Sequence, residues 1–312
     1  MLINIVVPCY NEEEVLPWSV GKLTELTERI KKETGADSKL VFVDDGSKDK
    51  TWELISEFAS KNSNIAGIKL AHNAGHQNAV WAGIEQSLGK CDATVSIDAD
   101  LQDDENTIID MTKQLMKGCD IIYGVRKERK TDTFFKRFTA QAFYKLMQTA
   151  DKEILYNHAD FRMMSNRAGE ALISFPERNL FLRGIVRKLG FNEGYVYYSR
   201  TARTAGESKY PLKKMIQFSI EGITSFSVAP LKMITITGFL FILISFLMII
   251  YALFEWINGD TIPGWASLLV SMWFIGGTAL TGIGIIGLYV GKIYTEVKRR
   301  PRYFVDKMTN LS

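Results

Sequence analysis

The chain has 312 residues, 46% of them hydrophobic, and a formal net charge of +3. This length allows one large globular domain plus a smaller part, and so small a net charge gives no reason to expect a nucleic-acid partner. Cys9, Cys91 and Cys119 are scattered without the spacing of metal ligands, so we expect plain thiols in a reducing cytoplasm rather than a cysteine-based metal site.

Strand and helix patterns alternate along the first part of the chain. Buried strands are predicted over residues 3–8, 40–43, 65–70, 94–97 and 120–124. Between them we predict a helix from an Asn11–Glu14 capping box to about residue 33, a helix capped by Asp49, a helix ending near residue 88, and a helix over about 105–117. This rhythm predicts an α/β domain with a mostly parallel sheet and helices on both faces.

Polar turns follow three of these predicted strands. They are Pro8-Cys9-Tyr10-Asn11-Glu12, Asp44-Asp45-Gly46-Ser47 and Asp98-Ala99-Asp100. In open α/β sheets, ligands bind in the crevice outside the carboxyl ends of the strands. We therefore expect the three turns to converge on one crevice, although each alone is compatible with ordinary turn chemistry.

The Asp98-Ala99-Asp100 segment predicts a metal and diphosphate centre. No glycine-rich phosphate cradle follows the first strand, so a bound diphosphate would need a cation. One or two carboxylates plus phosphate oxygens are the usual ligands of Mg²⁺ or Mn²⁺, and Asp98 and Asp100 supply the carboxylates. The alternative is an acidic turn in which Asp103 or Asp104 caps the next helix.

A histidine pair near residue 75 does not predict a zinc site. His72 and His76 are four residues apart, but the Asn73-Ala74-Gly75 segment between them indicates a turn rather than a helix. We expect His76 or Gln77 to line the crevice, and a purely structural role in this loop is equally open.

The C-terminal third predicts a membrane anchor. Residues 233–254 and 261–291 carry no charge, and each stretch exceeds the roughly 20 residues that cross a bilayer core. We predict spans over about 233–254 and 263–290, preceded by an interfacial amphipathic helix over 211–230 and followed by a basic tail over 292–312. The basic tail and the acidic loop between the spans place the N-terminal part and both termini in the cytoplasm, at a bacterial inner membrane crossed more than once.

Glycines in the second predicted span suggest close helix contacts. Gly277, Gly284, Gly287 and Gly291 fall near one face, which permits close packing within or between subunits. We therefore expect a homo-oligomer, although glycine is also common in transmembrane helices.

Eight short motifs occur in order along nearly the whole chain. They are Val7-Pro8-Cys9-Tyr10-Asn11-Glu12-Glu13, Val43-Asp44-Asp45-Gly46-Ser47, Asn73-Ala74-Gly75-His76-Gln77, Asp98-Ala99-Asp100-Leu101-Gln102, Gly124-Val125-Arg126, Asp160-Phe161-Arg162, Arg183-Gly184 and Arg203-Thr204-Ala205-Gly206-Glu207-Ser208-Lys209-Tyr210. Together they resemble the inverting family 2 glycosyltransferases of GT-A fold. The later motifs resemble the polyisoprenyl-phosphate branch, which includes dolichol-phosphate mannose synthases and bactoprenol glucosyltransferases.

This resemblance implies a fold, an activity and a set of site residues. It implies a GT-A (Rossmann-like) catalytic domain over residues 1–210 that transfers one hexose from a UDP-sugar, expected to be UDP-glucose, to undecaprenyl phosphate. It implies a Mg²⁺ or Mn²⁺ site, a nucleotide-sugar site to which we add Gln77, and a lipid-phosphate acceptor. The implied metal ligands are Asp98, Asp100 and Gln102, and the implied nucleotide ligands are Pro8, Tyr10, Glu12, Asp44 and Asp45.

A phosphate acceptor requires cations and little base catalysis. Its oxygen is already anionic at neutral pH, so it can attack the anomeric carbon without a strong general base. The candidate acceptor-binding residues are Arg126, Lys136, Arg137, Arg203 and Lys209. Asp160, in an apparent loop, is a candidate for contacting the sugar hydroxyls or assisting the acceptor, with capping of the following segment as the alternative.

Two other classes of function remain as alternatives. A processive polysaccharide synthase would usually carry a Gln-x-x-Arg-Trp motif and more spans, and neither is found. A non-catalytic, lipid-binding or flippase-associated membrane protein with a degenerate nucleotide-sugar fold would be expected to lose the acidic ligands, which are present at Asp98 and Asp100.

Overall fold

The computed structural model describes residues 1–126, 158–178, 180, 182–199, 229–258 and 264–311. The chain divides into two compact units. The first consists of residues 1–145, 153–211 and 300–312, and the second of residues 146–152 and 212–299.

The described strands of the first unit form one mixed sheet of eight strands. Six strands run in one direction, whereas β6 and β8 run in the opposite direction. The strand order is β7-β5-β6-β4-β1-β2-β3-β8. The strands are β1 Leu2–Cys9, β2 Asp37–Asp44, β3 Ile65–Leu70, β4 Ala93–Ser96, β5 Ile121–Arg126, β6 His158–Ser165, β7 Glu193–Tyr198 and β8 Val305–Thr309. The prediction of a mostly parallel sheet is confirmed, because six of these eight strands run in the same direction.

Helices cover both faces of this sheet, as predicted. The helices of the first unit are α1 Leu16–Thr34, α2 Thr51–Lys61, α3 His76–Ser87, α4 Thr107–Met116, α5 Asn166–Ile173 and α6 Leu182–Ile185. Alternate residues of β1 serve the two faces: Ile3 and Ile5 pack in the core under α1, whereas Val6 packs in a second core under α3. A strand buried on both faces must be apolar throughout, which explains the continuous hydrophobic run of β1.

The predicted capping box at Asn11 is wrong. The helix begins at Leu16, without a side-chain cap, and Asn11 has a left-handed φ of 52°. The Asn11 side chain instead accepts a hydrogen bond from the backbone N–H of Lys48 at 2.9 Å. Asp49 does act near the start of α2, where its carboxylate accepts from the backbone N–H of Thr51 at 3.1 Å.

The last residues of the chain belong to the sheet. In the segment that we expected to be a basic tail, β8 pairs antiparallel with β3. The Arg302 guanidinium lies 3.8 Å from the ring centroid of the fully buried Trp81 and donates to the carbonyl oxygens of Phe175 and Glu177 at 2.8 and 2.5 Å. Tyr303 donates to Glu85 at 2.6 Å. These contacts anchor the C-terminal segment within the first unit.

The described part of the second unit consists of two long helices, α7 Ala229–Asn258 and α8 Trp265–Lys298. They contact each other through the rings of Phe241 and Phe274, whose centroids are 5.6 Å apart. By length and composition, residues Phe274–Lys298 are long and apolar enough to cross a membrane, whereas the apolar stretch Met233–Met248 is shorter. One candidate span is therefore found in the described residues, and the two-span anchor is not confirmed.

Candidate active site

The loops after β2 and β3 are locked together at the carboxyl-end edge of the sheet. Both carboxylate oxygens of Asp45 accept backbone hydrogen bonds, from Ala74 at 2.7 Å and from Gly75 at 3.0 Å. At Gly46, φ is +66° and a Cβ atom would lie 2.5 Å from the carbonyl carbon of His72. Only glycine fits this close approach of two backbones. The Asp45 side chain therefore has a structural role, while its predicted contact with the nucleotide stays a prediction.

The loops after β1 and β2 are joined in the same way. The backbone N–H of Asn11 donates to Ser47 Oγ at 2.9 Å, and the backbone N–H of Glu12 donates to Thr51 Oγ1 at 2.9 Å. Backbone N–H groups of the Pro8–Glu12 motif are thus bonded to side chains that follow β2. In this motif, Pro8 is buried and Tyr10 is 41% exposed at the edge.

Asp44 carries a buried polar atom without a partner. The residue is fully buried, and its Oδ1 accepts from the backbone N–H of Ser47 at 3.0 Å. Its Oδ2 has no hydrogen-bond partner among the described residues. Burial raises the pKa of Asp44, and this effect is partly offset by Ser47 and Lys69. An unsatisfied buried carboxylate oxygen is costly, which fits the prediction that this residue meets a ligand.

The acidic turn begins directly after β4. The backbone N–H of Leu101 donates to the carbonyl oxygen of Asp98 at 3.1 Å, and Leu101 has a left-handed φ of 43°. The backbone N–H of Gln102 donates to Asp100 Oδ1 at 3.3 Å. The proposed metal ligands Asp98, Asp100 and Gln102 thus lie within one tight turn, and their role as ligands stays a prediction. Neither Asp103 nor Asp104 caps α4, which has no side-chain cap; the Asp104 carboxylate instead accepts from the backbone N–H of Asn106, the residue before the helix.

Negative charge accumulates around Asp98. Its side chain is 48% exposed, and its Oδ1 lies 3.6 Å from His76 Nε2. Removal of water from the carboxylate raises the pKa of Asp98, His76 partly offsets this, and Asp103, Asp160 and Asp100 raise it further. No group of three His, Cys, Asp or Glu side chains in the described residues would hold a metal ion by itself. Any metal here would need further ligands, such as an amide or substrate oxygens.

Arg126 forms a buried ion pair with Asp103. Its Nε and Nη2 atoms donate to Asp103 Oδ1 and Oδ2 at 3.1 and 3.2 Å, and Nε also donates to the Tyr198 hydroxyl at 3.2 Å. Burial lowers the pKa of Arg126, but the charge of Asp103 outweighs this, so the pKa is raised overall. Arg126 was predicted to bind the acceptor phosphate; its guanidinium is already paired with a carboxylate, and that role stays a prediction.

Asp160 lies in β6, not in a loop, so the sequence-based placement and its capping alternative are wrong. Its Oδ1 accepts from Arg162 Nη2 at 2.6 Å and from Arg183 Nε at 3.1 Å, and its Oδ2 accepts from Arg183 Nη2 at 2.9 Å. Burial raises the pKa of Asp160, but Arg183 and Arg162 outweigh this effect and hold the pKa well below its ordinary value. Asp160 is therefore an anion across the working range of pH.

Other predicted site residues have different outcomes. Gln77 lies in the first turn of α3, and its Oε1 accepts from the backbone N–H of Leu182 at 2.9 Å; this bond is structural, and the predicted contact of Gln77 with the nucleotide-sugar stays a prediction. The candidate cations Lys136, Arg137, Arg203 and Lys209 lie outside the described residues.

The sequence predicted no part in a substrate site for three residues at this edge of the sheet, Arg162, Arg183 and Asp103. Arg162 and Arg183 belong to motifs that carry the family resemblance, but a motif does not state which carboxylate an arginine meets. Asp103 was considered only as a helix cap. The sequence does place two arginines, Arg162 and Arg183, within 23 residues of Asp160. Without the strand order, this proximity along the chain is too weak to predict an ion pair.

The fold and this polar edge define the class of open α/β proteins that bind ligands at the carboxyl ends of parallel strands. Within that class the chain belongs to glycosyl transferase family 2, whose family model matches residues 4–173. This confirms the family proposed from the sequence motifs.

Several relatives are similar over nearly their whole length. The glycosyltransferase YkoT of Bacillus subtilis is 51% identical over 98% of this chain and 91% of its own. A prophage-derived bactoprenol glucosyl transferase of Shigella flexneri is 39% identical over 98% of each chain. Among solved structures, mannosyl-3-phosphoglycerate synthase from Rubrobacter xylanophilus is similar with a TM-score of 0.49 and 14% identity over 72% of each chain.

Proposed function

We propose that this protein is a membrane-associated, metal-dependent glycosyltransferase that moves one hexose from a UDP-sugar to a polyisoprenyl phosphate with inversion. UDP-glucose and undecaprenyl phosphate are the expected substrates. The relatives named bactoprenol glucosyl transferase support this acceptor and this sugar. Among structural observations, the acidic turn at Asp98 carries the proposal, because Asp98 lies 3.6 Å from His76, directly after the Ala74-Gly75 turn that Asp45 holds.

The residues at this turn fit a divalent cation. Asp98 and Asp100 offer oxygen ligands of the kind that Mg²⁺ and Mn²⁺ prefer, and Gln102 offers an amide in the same turn. The pKa of Asp98 is raised, first because water is partly removed from its carboxylate and then because of neighbouring carboxylates, so a cation would relieve their mutual repulsion. When bound, the ion would neutralise charge on the departing diphosphate.

The proposed reaction needs no general base from the protein. A phosphate oxygen of the acceptor forms a bond to the anomeric carbon, and the bond from that carbon to the diphosphate breaks with its electron pair leaving on UDP. A phosphate monoester is anionic at neutral pH, so no proton has to be removed. The chain must bring two anionic substrates together, exclude water and hold the leaving group.

The proposal is tested with purified protein, undecaprenyl phosphate and each of four UDP-sugars. These are UDP-glucose, UDP-galactose, UDP-N-acetylglucosamine and UDP-N-acetylgalactosamine, each with Mn²⁺ and with a chelator. We expect UDP release and a lipid-linked monosaccharide, detected by mass spectrometry, only in the presence of the metal. If none of the four sugars yields a lipid-linked product, the proposal is wrong.

Asp100→Ala and Asp104→Ala form a matched pair for the metal site. We expect Asp100→Ala to lower turnover by on the order of 100-fold or more, because a proposed metal ligand is lost. Asp104→Ala removes a carboxylate from the same acidic stretch that contacts only Asn106 in the described residues, so turnover should change less than about twofold. Equal activity of the two variants would contradict the metal assignment.

A further inference from the structure

The unassigned residue with the strongest structural case is Arg183. We propose that Arg183 contacts a phosphate group at the reaction centre, and that Asp160 acts as the positioning residue that holds its guanidinium there. This inference rests on the proposed function. It adds a substrate-binding residue for which the sequence predicted no role, and it replaces the direct role predicted for Asp160.

The strand register brings Asp160 to the acidic turn. β6 runs antiparallel to β4, and Ser96 pairs with Arg162. Continued by two residues past this last pair, the register places Asp160 opposite Asp98. The Ser96 hydroxyl also donates to the carbonyl oxygen of Asp160 at 2.6 Å, which fixes the backbone there. A side chain that is hydrogen-bonded to the Asp160 carboxylate therefore lies close to Asp98, one of the proposed metal ligands.

The two arginines on Asp160 differ in access to ligands. Arg162 is 2% exposed and also donates to the carbonyl oxygen of Leu182 at 3.0 Å, so it is buried in the protein. The side chain of Arg183 is 31% exposed. Arg183 is therefore the arginine of this pair that a ligand in the crevice can reach. Arginine is the side chain best suited to planar, two-point contact with phosphate oxygens.

The bonds around Arg183 orient it before any ligand arrives. Asp160 fixes the plane of the guanidinium through two bonds, at 3.1 and 2.9 Å. The preceding residue, Leu182, is fixed at both of its backbone groups. Its N–H donates to the Gln77 side chain, and its carbonyl oxygen accepts from Arg162. A cation held in this way loses little conformational entropy when it binds an anion.

The same bonds argue against Asp160 as a general base. Both of its oxygens accept arginine N–H groups, whereas a base needs an accessible lone pair and a pKa near the working pH. The acceptor phosphate also has no proton that must be removed. Asp160 should therefore affect the reaction through Arg183.

The first experiment uses Arg183→Gln and Arg183→Lys in the full chain. UDP binding with Mn²⁺ is measured by calorimetry, and KM and kcat are measured for undecaprenyl phosphate. We expect Arg183→Gln to raise either the Kd for UDP or the KM for the acceptor by about 10- to 100-fold, and Arg183→Lys to recover part of the loss. A change in the Kd assigns the contact to the donor diphosphate, and a change in KM alone assigns it to the acceptor phosphate. If neither changes, Arg183 makes no such contact.

The second experiment is a double-mutant cycle with Asp160→Asn. If Asp160 acts through Arg183, adding Asp160→Asn to the Arg183→Gln protein should lower kcat/KM by less than about threefold. An equal loss in both backgrounds would show that Asp160 acts independently. Because Asp160→Asn leaves the buried Arg162 without its carboxylate, this variant is at risk of unfolding; if it does not fold, the binding measurements on Arg183→Gln and Arg183→Lys still decide the contact.

Arg167→Gln is the matched control. Arg167 also pairs with an aspartate, Asp120, at 2.5 Å, but Asp120 precedes β5 and so lies at the opposite edge of the sheet. This variant should bind UDP and turn over like the wild type. If the wild type itself makes no lipid-linked sugar, the proposed function fails; if the wild type is active and Arg183→Gln equals it in UDP binding and kinetics, only this inference fails.

Discussion

Two arginine–carboxylate clusters flank the acidic turn at Asp98, and they differ in burial and in charge. In the first, Asp103 and Arg126 have side-chain exposures of 4% and 18%, and one carboxylate meets one guanidinium. In the second, Asp160 and Arg183 have exposures of 21% and 31%, and Arg162 adds a second cation. The chemical groups are the same, but the second cluster contains one more arginine and is more exposed to solvent.

This difference separates a structural role from a binding role. A buried, neutral pair has little left to offer an anion, and breaking it leaves a charge without compensation in a medium of low polarity. An arginine in a partly exposed cluster can exchange water for phosphate oxygens at modest cost. We therefore expect substitutions in the first cluster to affect mainly stability and substitutions in the second to affect mainly activity.

The largest expected effect on stability is that of Arg126→Ala. Loss of the guanidinium removes the cation that compensates the buried Asp103 carboxylate, so the free energy of unfolding should fall by about 3–5 kcal/mol. Urea denaturation of the full chain in detergent, followed by tryptophan fluorescence, measures this change.

Arg183→Gln is the matched control for Arg126→Ala. Because Arg183 is more exposed, its loss should change the free energy of unfolding by no more than about 1 kcal/mol. If Arg126→Ala is as stable as Arg183→Gln and instead raises the KM for the acceptor, the comparison fails and Arg126 is an acceptor ligand, as the sequence predicted.

Substitution of Arg302 tests whether the loss of stability depends on the charge of the group that the arginine contacts. Its guanidinium stacks on Trp81 and binds two carbonyl oxygens, so its removal leaves no buried charge behind. We expect Arg302→Ala to lower the free energy of unfolding by about 2 kcal/mol, less than Arg126→Ala. Arg302→Lys keeps the charge but not the planar stacking group and should recover part of the loss. If Arg302→Ala lowers the free energy of unfolding as much as Arg126→Ala does, burial of the arginine alone determines the loss of stability.

The smallest expected effect is that of Tyr198→Phe. The Tyr198 hydroxyl accepts a hydrogen bond from Arg126 and also interacts with the Asp103 carboxylate, while Arg126 and Asp103 keep their own bidentate pair. Because these two charged groups retain each other in the variant, the free energy of unfolding should fall by only about 1 kcal/mol. A loss as large as that of Arg126→Ala would show that the hydroxyl, rather than the carboxylate, satisfies the arginine.

Local patterns in the sequence were sufficient for much of the fold. Strand β3 was predicted with its observed bounds, and the other four predicted strands overlap with β1, β2, β4 and β5. A buried strand is marked by its own hydrophobic run, so it is recognisable without knowledge of its neighbours. The capping box at Asn11 failed because its polar groups bind the next loop, with Lys48 and Ser47, more favourably than the start of α1.

The candidate site was predictable in part. The sequence placed Asp98 and Asp100 at the end of a strand, since the change from a hydrophobic run to a polar turn is visible locally. The role of Asp45 was less visible, because its partners, the backbone N–H groups of Ala74 and Gly75, carry no side-chain signature.

The sequence by itself determined the glycosyltransferase family, the rhythm of strands and helices, and the acidic turn. Only the tertiary structure decided that Asp160 lies beside Asp98, that Arg126 belongs to Asp103, and that the C-terminal segment completes the sheet through β8. The physical reason is that hydrophobic periodicity and turn chemistry are local, whereas the partner of a charged group depends on strand order and direction. The reversal of β6 brings a carboxylate to an edge otherwise formed by strands running the other way, and no local pattern around Asp160 indicates that reversal.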